Sequence, residues 1–187
     1  MSFITTLIVV TSKPGKELSA VREILDFLIP WDVSARGLEV GRWPGVGLIK
    51  TALSFDRCVT ILRKHKRYIA LKVVPLLYIA SPIHDEIRDL FKKIALDKKP
   101  NSIYLTIAKR GVIDKKDVFL AALEGACAHL SEKGEQLVVM VEGLGDKVGI
   151  SPLNPIEYYR LAGKRKLPRR LKVDPATCQH LLSYKLN

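Results

Sequence analysis

Residues 3–30 read FITTLIVVTSKPGKELSAVREILDFLIP and contain, in order, an apolar run, a turn and an amphipathic segment. Residues 3–11 are rich in β-branched side chains and too short for a buried helix, so they predict a central strand. After the turn at Lys13-Pro14-Gly15, apolar residues recur at the spacing of one helix face until Pro30: Leu18, Val21, Ile24, Leu25 and Leu28. This stretch therefore predicts a strand followed by a helix.

The same alternation continues to residue 80. Further strands are predicted at residues 33–40, 46–53 and 68–79. Residues 41–45 contain too many turn formers for a strand and predict a loop, whereas Ser54 can cap a second helix. The order β-α-β-β-α-β is typical of a ferredoxin-like unit, so we expect residues 1–80 to form such a domain within an α+β protein.

Residues 81–153 predict a second unit with the order α-β-α-β-β. Ser81 and Pro82 are typical of the N-cap and the first position of a helix. The other predicted elements are a strand at 102–108, a helix from Asp114 with small inner residues, and strands at 137–142 and 147–153. We interpret residues 81–153 as a separate domain.

The chain is strongly basic, with 31 Lys and Arg against 19 Asp and Glu and a formal net charge of +12 in 187 residues. Such an excess predicts a polyanionic partner, nucleic acid first and an anionic membrane surface second. From Arg160 to Lys172 there are seven bases and no acid. Because like charges repel one another unless an anion is bound, residues 154–187 predict a basic C-terminal extension that binds nucleic acid.

Motifs for chemistry are absent from the sequence. There is no Walker or GxGxxG motif, and no His has a second ligand at metal-binding spacing. Cys58, Cys127 and Cys178 stand far apart, so we expect no disulfide framework, and Cys127 is interpreted as a packed small apolar residue. No signal peptide or membrane-spanning run is recognised. We therefore expect a cytoplasmic protein that is not an enzyme and has no cofactor and no metal.

Basic residues in two places are candidates for RNA binding. Lys109 and Arg110 follow a predicted strand, and Lys115 and Lys116 open the next helix, whose N-terminal N–H groups suit a phosphate. The remaining candidates lie in the extension: Arg160, Lys164, Arg165, Lys166, Arg169, Arg170 and Lys172. The densest run, RKHKR at residues 63–67, falls at a predicted helix C-terminus, where cations are stabilised without a ligand, so a structural role is favoured there. For Trp43, covering the sheet end is favoured over stacking on a base.

Three segments resemble THUMP-domain proteins of the archaeal kind, and the resemblance spans about residues 3–153. They are the first strand with its TSKPGKE turn at residues 11–17, AKRG at 108–111, and VEGLGDKVGIS at 141–151. Members with only these two units are similar to the adaptor that presents tRNA to a cytidine acetyltransferase. The resemblance implies that the chain binds tRNA near its acceptor end for an enzyme on another chain. It assigns the basic residue of the family's strand-loop-helix motif to Arg110.

Two other classes of function stay open. Ferredoxin-like units often bind small regulatory ligands, and a small hydrolase or transferase with an unrecognised site is the other alternative. The favoured prediction is a protein that binds tRNA or another structured RNA, with a tRNA-modifying enzyme as a second partner and no membrane. Salt-dependent association with RNA distinguishes this prediction from both alternatives.

Overall fold

The computed structural model describes residues 5–185, with side chains to residue 181. Its elements are, in chain order, β1 (Thr6–Thr11), α1 (Glu17–Leu28), β2 (Arg36–Trp43), β3 (Val46–Thr51), α2 (Phe55–Leu62), β4 (Lys72–Leu76), β5 (Tyr78–Ala80), α3 (His84–Lys98), β6 (Ser102–Ala108), α4 (Lys115–Ala126), β7 (Gln136–Leu144), β8 (Lys147–Leu153), α5 (Pro155–Ala162), β9 (Lys172–Val173) and α6 (Pro175–Lys185). A short 3-10 helix, Cys127–His129, follows α4. The predicted α+β class is confirmed.

The chain divides into two units. Unit 1 comprises the chain up to Leu77 together with Ile156–Arg165, and unit 2 comprises Tyr78–Pro155 together with the chain from Lys166 onward. Residues 154–187, predicted as one basic extension, are therefore shared between the two units. Within residues 5–185, no helix is both long and apolar enough to cross a membrane.

Unit 1 contains a four-stranded antiparallel sheet with the order β2-β3-β1-β4. The strand β1 pairs on both sides, and its residues Ile8 and Val9 are fully buried. The α1 helix packs closely on β3: a Cβ added at Gly47 would lie 2.3 Å from Cγ2 of Val21. The buried face of α1 is narrower than predicted, since Leu18 is exposed.

The prediction of a loop at residues 41–45 is wrong. β2 continues to Trp43, and only Pro44 and Gly45 turn the chain. The register of β2 against β3 is irregular between Leu38 and Trp43, and Glu39 and Gly41 both have positive φ. A bulge can place turn-forming residues inside a strand, so residues 41–43 have the composition of a loop although they belong to β2.

The predicted strand at residues 68–79 is also different in the structure. It becomes β4, which pairs with β1 in unit 1, and β5, which pairs with β8 in unit 2. A short apolar run is consistent with a buried strand, but it does not indicate which sheet each part of the run joins.

Unit 2 contains a five-stranded sheet with the order β5-β8-β7-β6-β9, in which β6 and β7 are parallel and the other pairs are antiparallel. The small residues of α4 allow close packing against α3, as a Cβ at Gly125 would lie 2.2 Å from the backbone oxygen of Arg88. The core includes Phe91, Ile94 and Ile103, all essentially buried.

The start of α3 differs from its prediction. The helix begins at His84 with Ile83 at its N-cap, and not with Ser81 and Pro82. β5 extends to Ala80, and the Ser81 backbone N–H donates to the Glu86 carboxylate at 2.9 Å. Ser81 therefore lies between the end of β5 and the start of α3, and a side chain from the first turn of α3 binds its N–H group.

The interpretation of Cys127 as a packed small apolar residue is wrong. Cys127, just after α4, is joined to Cys178 in α6 across 51 residues of sequence. Cys58 is the free and buried cysteine of unit 1. Spacing along the chain could not indicate this pair because the docking of α6 on unit 2 brings the two thiols together.

Candidate nucleic-acid interface

A basic cleft of about 680 Å³ lies in unit 1 between the segment that follows α2 and the end of α5. Seven of its lining residues are Lys or Arg, and no Asp or Glu among the side chains described, residues 5–181, lines it. These seven are Arg63, Lys64, Lys66, Arg67, Arg160, Lys164 and Arg165. The basic cleft therefore combines the run at residues 63–67 with three of the candidate residues from the C-terminal extension.

A partly buried carboxylate fixes one wall of the basic cleft. Glu23, on α1, accepts hydrogen bonds from the backbone N–H groups of Tyr68, Ile69 and Ala70 at 2.8, 2.7 and 3.0 Å. It also lies 3.1 Å from Nε2 of His65. Burial alone would raise the pKa of Glu23, but these hydrogen bonds outweigh burial and lower the pKa. Glu23 is thus an anion that fixes the backbone of the basic segment.

The other wall of the basic cleft is held by Arg67. Its guanidinium donates to the backbone oxygens of Arg160 and Leu161, which are among the last carbonyls of α5. Burial lowers the pKa of Arg67. Gly163 follows with φ of +63°, and a Cβ there would lie 3.0 Å from the backbone oxygen of Leu71. Arg67 therefore caps α5 and joins the two basic segments.

The geometry of the basic cleft suits a polyanion. Its cations project from two segments whose backbones are held in place, so an incoming phosphate does not have to order them. The exposed ring of Tyr68, 77% accessible, stands at the edge with the ammonium of Lys66 at 5.8 Å from its centroid. Aromatic rings beside cations are a common arrangement in sites for nucleic-acid strands.

The loop after β6, in unit 2, is built differently. Arg110 forms an ion pair of 2.6 Å with Glu142 of β7, and the side chains are 15% and 1% exposed. The backbone oxygen of Arg110 also accepts from Gly145 N–H at 3.1 Å. The guanidinium of Arg110 thus compensates a buried carboxylate. Its role in RNA binding stays a prediction.

The N-terminus of α4 does not present all of its N–H groups. Asp114 is the N-cap, and its carboxylate accepts from the backbone N–H groups of Lys116 and Asp117 at 2.7 and 3.3 Å. These hydrogen bonds, with Lys109 and Lys116 nearby, lower the pKa of Asp114. Two of the N–H groups that the sequence suggested for a phosphate are therefore already bound by a carboxylate of the chain, and phosphate binding at this helix end stays a prediction. Lys109, Lys115 and Lys116 remain exposed.

The remaining candidates lie in unit 2. Lys166, Arg169 and Arg170 are exposed. Lys172 lies in β9, where its ammonium is 2.9 Å from Asp174 and 5.2 Å from the ring centroid of Tyr104. The hydrogen bond to Asp174 raises the pKa of Lys172. The structure therefore brings together three of the candidates in the extension and leaves the other four outside the basic cleft.

Groups for metal or thiol chemistry are not brought together in the part of the chain that is described. Residues 5–185 contain no group of three or more His, Cys, Asp or Glu side chains that could hold a metal ion. His84 pairs with Glu124 at 2.8 Å. Burial raises the pKa of Cys58 to about 12, which keeps this thiol protonated at neutral pH.

Comparison with known proteins identifies the fold and no family. The sequence matches no family model and no curated protein. The structure is similar to a predicted N6-adenine-specific DNA methylase from Listeria monocytogenes str. 4b F2365, with 13% identity and a TM-score of 0.51 over 80% of this chain and 40% of that one. A possible methylase from Clostridium difficile 630 matches with 18% identity and a TM-score of 0.50, over 80% and 41%. PH1313 from Pyrococcus horikoshii Ot3 matches with 15% identity and a TM-score of 0.53, over 79% and 54%.

These likenesses show that the chain shares its fold with the matched parts of those three chains. The chain spans between 40% and 54% of the length of the three matched chains. They also correct one expectation: the prediction that the protein is not an enzyme is contradicted, because two of the three chains that share its fold are described as methylases. The absence of a recognisable motif was insufficient for that prediction.

Sequence reasoning missed the residues that build most of the basic cleft. The run at residues 63–67 was the densest basic segment in the chain, but the helix dipole explained it without a ligand. In the structure α2 ends at Leu62, so this run lies beyond the helix. The length of the run could have identified it, because the run carries more positive charge than the dipole at one helix C-terminus can neutralise.

Proposed function

We propose that this chain binds structured RNA, with transfer RNA as the first ligand to test, and holds it for a base-modifying reaction. The observation that carries the proposal is the basic cleft of unit 1, which has seven Lys and Arg residues and no acid in its lining. Phosphates are the ligands that such a surface attracts, because each contact releases counterions from the nucleic acid.

The exposed bases of unit 2 would extend this contact. We infer that Lys109, Lys115 and Lys116, and the exposed Lys166, Arg169 and Arg170, form weaker phosphate contacts on unit 2. In this proposal unit 1 is the ferredoxin-like domain and unit 2 the THUMP-like domain. The resemblance of the sequence to THUMP-domain proteins favours that assignment.

The class of modification is the finer part of the proposal. The resemblance of the sequence to THUMP-domain proteins favours cytidine acetylation by an enzyme on another chain. Methyl transfer is the second candidate, and the two matches to chains described as methylases favour it. Incubating the protein and tRNA with S-adenosylmethionine, or with acetyl-CoA and an acetyltransferase, and analysing the tRNA nucleosides would distinguish the two.

Binding is tested by gel shift with tRNA, an RNA minihelix and duplex DNA of matched length at two salt concentrations. We expect the strongest shift with tRNA, and an affinity that falls steeply as the salt concentration rises. An affinity for tRNA that does not change with salt, or equals that for duplex DNA at both concentrations, would overturn the proposal.

A further inference from the structure

A second recess, of about 350 Å³, lies in unit 1 between α1 and α2. Its lining is mixed, with aromatic and aliphatic groups beside a few polar ones: Phe27, Trp31, Asp56, Arg57, Thr60, Ile61 and Lys64. Trp31, just beyond the end of α1, is 54% exposed. The indole of Trp31 is therefore accessible to a planar ligand at the mouth of this stacking recess.

The stacking recess and the basic cleft share a wall. Lys64 lines both of them. The ring of Phe27 faces the stacking recess and packs against the ring of His65, which lines the basic cleft, with 4.3 Å between their centroids. One pair of rings in contact, tilted by 32°, therefore separates a cationic surface from a partly apolar one within a single unit.

We propose that the stacking recess receives one unpaired RNA base, whose flanking phosphates lie in the basic cleft. This inference rests on the proposed function, because the cations that bind the phosphates are those of the basic cleft. A base is planar and stacks on an indole, while the carboxylate of Asp56 and the hydroxyl of Thr60 offer hydrogen-bond partners to its edge. Bases within a duplex are already stacked and cannot enter, so the site selects unpaired nucleotides.

Fluorescence provides a direct test because the chain has two tryptophans, Trp31 and Trp43. In Trp43→Phe the remaining indole reports on the stacking recess, and in Trp31→Phe the remaining indole reports on β2. We expect a short single-stranded oligoribonucleotide to quench Trp43→Phe and to leave Trp31→Phe unchanged. An oligonucleotide of the same length with abasic sugars should bind without quenching. Equal quenching by the abasic strand, or none by the intact strand at saturation, would overturn the inference.

Affinity provides a second readout. Trp31→Ala should weaken binding of the single strand by about fivefold or more, the loss expected for one stacked base, and leave the abasic strand unchanged. Thr60→Phe keeps Trp31 and fills the stacking recess, so it should cause a similar loss. Circular dichroism verifies that both variants are folded. Unchanged affinity in both variants would contradict the inference, as would equal losses on the two strands.

The same experiments separate this inference from the proposed function. If the unmodified protein binds neither tRNA nor the oligonucleotide, the proposed function fails and the stacking recess loses its ligand. If the protein binds tRNA in a salt-dependent manner but Trp31 gives no response, only the inference fails. A response of Trp31 to a small apolar molecule but not to RNA would likewise reject the base in favour of another ligand.

Discussion

The basic cleft of unit 1 and the loop after β6 in unit 2 both contain densely basic sequence. They differ in whether a carboxylate of the chain pairs with the basic side chains. In unit 2, Arg110 is paired with a buried carboxylate, and Asp114 covers part of a helix N-terminus. In unit 1, the carboxylate of Glu23 binds backbone N–H groups behind the basic segment, and no acid lines the basic cleft. The difference teaches that the position of the acids determines which bases are available to a ligand.

The largest effect is expected at Arg110. Arg110→Ala would leave the 1% exposed carboxylate of Glu142 without its guanidinium partner, and breaking a buried pair in this way costs about 3–5 kcal/mol. We expect the free energy of unfolding of unit 2, measured by denaturant titration, to fall by an amount of that order. Lys109→Ala, at the exposed neighbour, is the control and should be neutral. Full stability combined with loss of RNA binding would show that Arg110 is a phosphate ligand instead.

The disulfide is expected to have the next largest effect. Cys178→Ala removes the bridge to Cys127, which closes 51 residues of chain, and should destabilise unit 2 by about 2–4 kcal/mol. Thermal unfolding with and without a reducing agent measures this, and the effect of the reducing agent should disappear in the variant. Cys58→Ala in unit 1 is the matched control, in which the effect of the reducing agent should persist. The prediction would be contradicted if the reducing agent lowered the unfolding temperature of Cys178→Ala as much as that of the unmodified protein.

Charge reversal compares the two basic regions directly. Lys66→Glu with Arg165→Glu should weaken tRNA binding by about tenfold or more and lower the salt slope by about two contacts, because both residues line the basic cleft. Lys115→Glu with Lys116→Glu introduces the same change of charge on α4 and should cost less. Affinities measured at three salt concentrations test this. Equal losses for the two pairs would mean that overall charge, and not the basic cleft, drives binding.

The smallest effect is expected at Glu23, and it depends on pH. The pKa of Glu23 is lowered in the folded protein, so its contribution to stability is present above the unfolded pKa and is lost as pH falls through the folded pKa. Glu23→Gln should therefore destabilise unit 1 by about 1–2 kcal/mol at neutral pH, and less in acid. Urea unfolding at several pH values measures this. Asp26 is an exposed acid on the same helix, and Asp26→Asn, the control, should show no such dependence. A destabilisation by Glu23→Gln that grows toward low pH would contradict the prediction.

Several elements could be predicted from local sequence. The strands at residues 102–108 and 147–153 have the predicted bounds, and α4 starts after Asp114 as its N-cap. Each of these predictions depends on the alternation of apolar and polar side chains along a strand or on a helix N-cap, and both involve residues close together in sequence. The start of α3 was missed because β5 extends to Ala80 and the helix begins only at His84, and the end of β2 was missed because β2 includes the turn formers of residues 41–43.

The candidate site was predictable in part. The bases Arg160, Lys164 and Arg165 were recognised from their clustering, but nothing in that cluster indicates which surface they join. The contacts of Arg67 with Arg160 and Leu161 connect residues 93 and 94 positions apart. Such a pairing depends on the packing of α5 on unit 1, which local periodicity does not encode.

Composition and periodicity were sufficient for the α+β class, the alternation of strands and helices, and the basic character that favours a polyanionic ligand, because these depend on the residues themselves and on their near neighbours. Folding in three dimensions alone joined Cys127 to Cys178, divided residues 68–79 between two sheets, and enclosed the basic cleft between segments far apart in sequence. The physical reason is that long-range contacts arise from burial and backbone pairing across the whole unit. Basic residues therefore form an ion pair in unit 2 and an open cationic surface in unit 1.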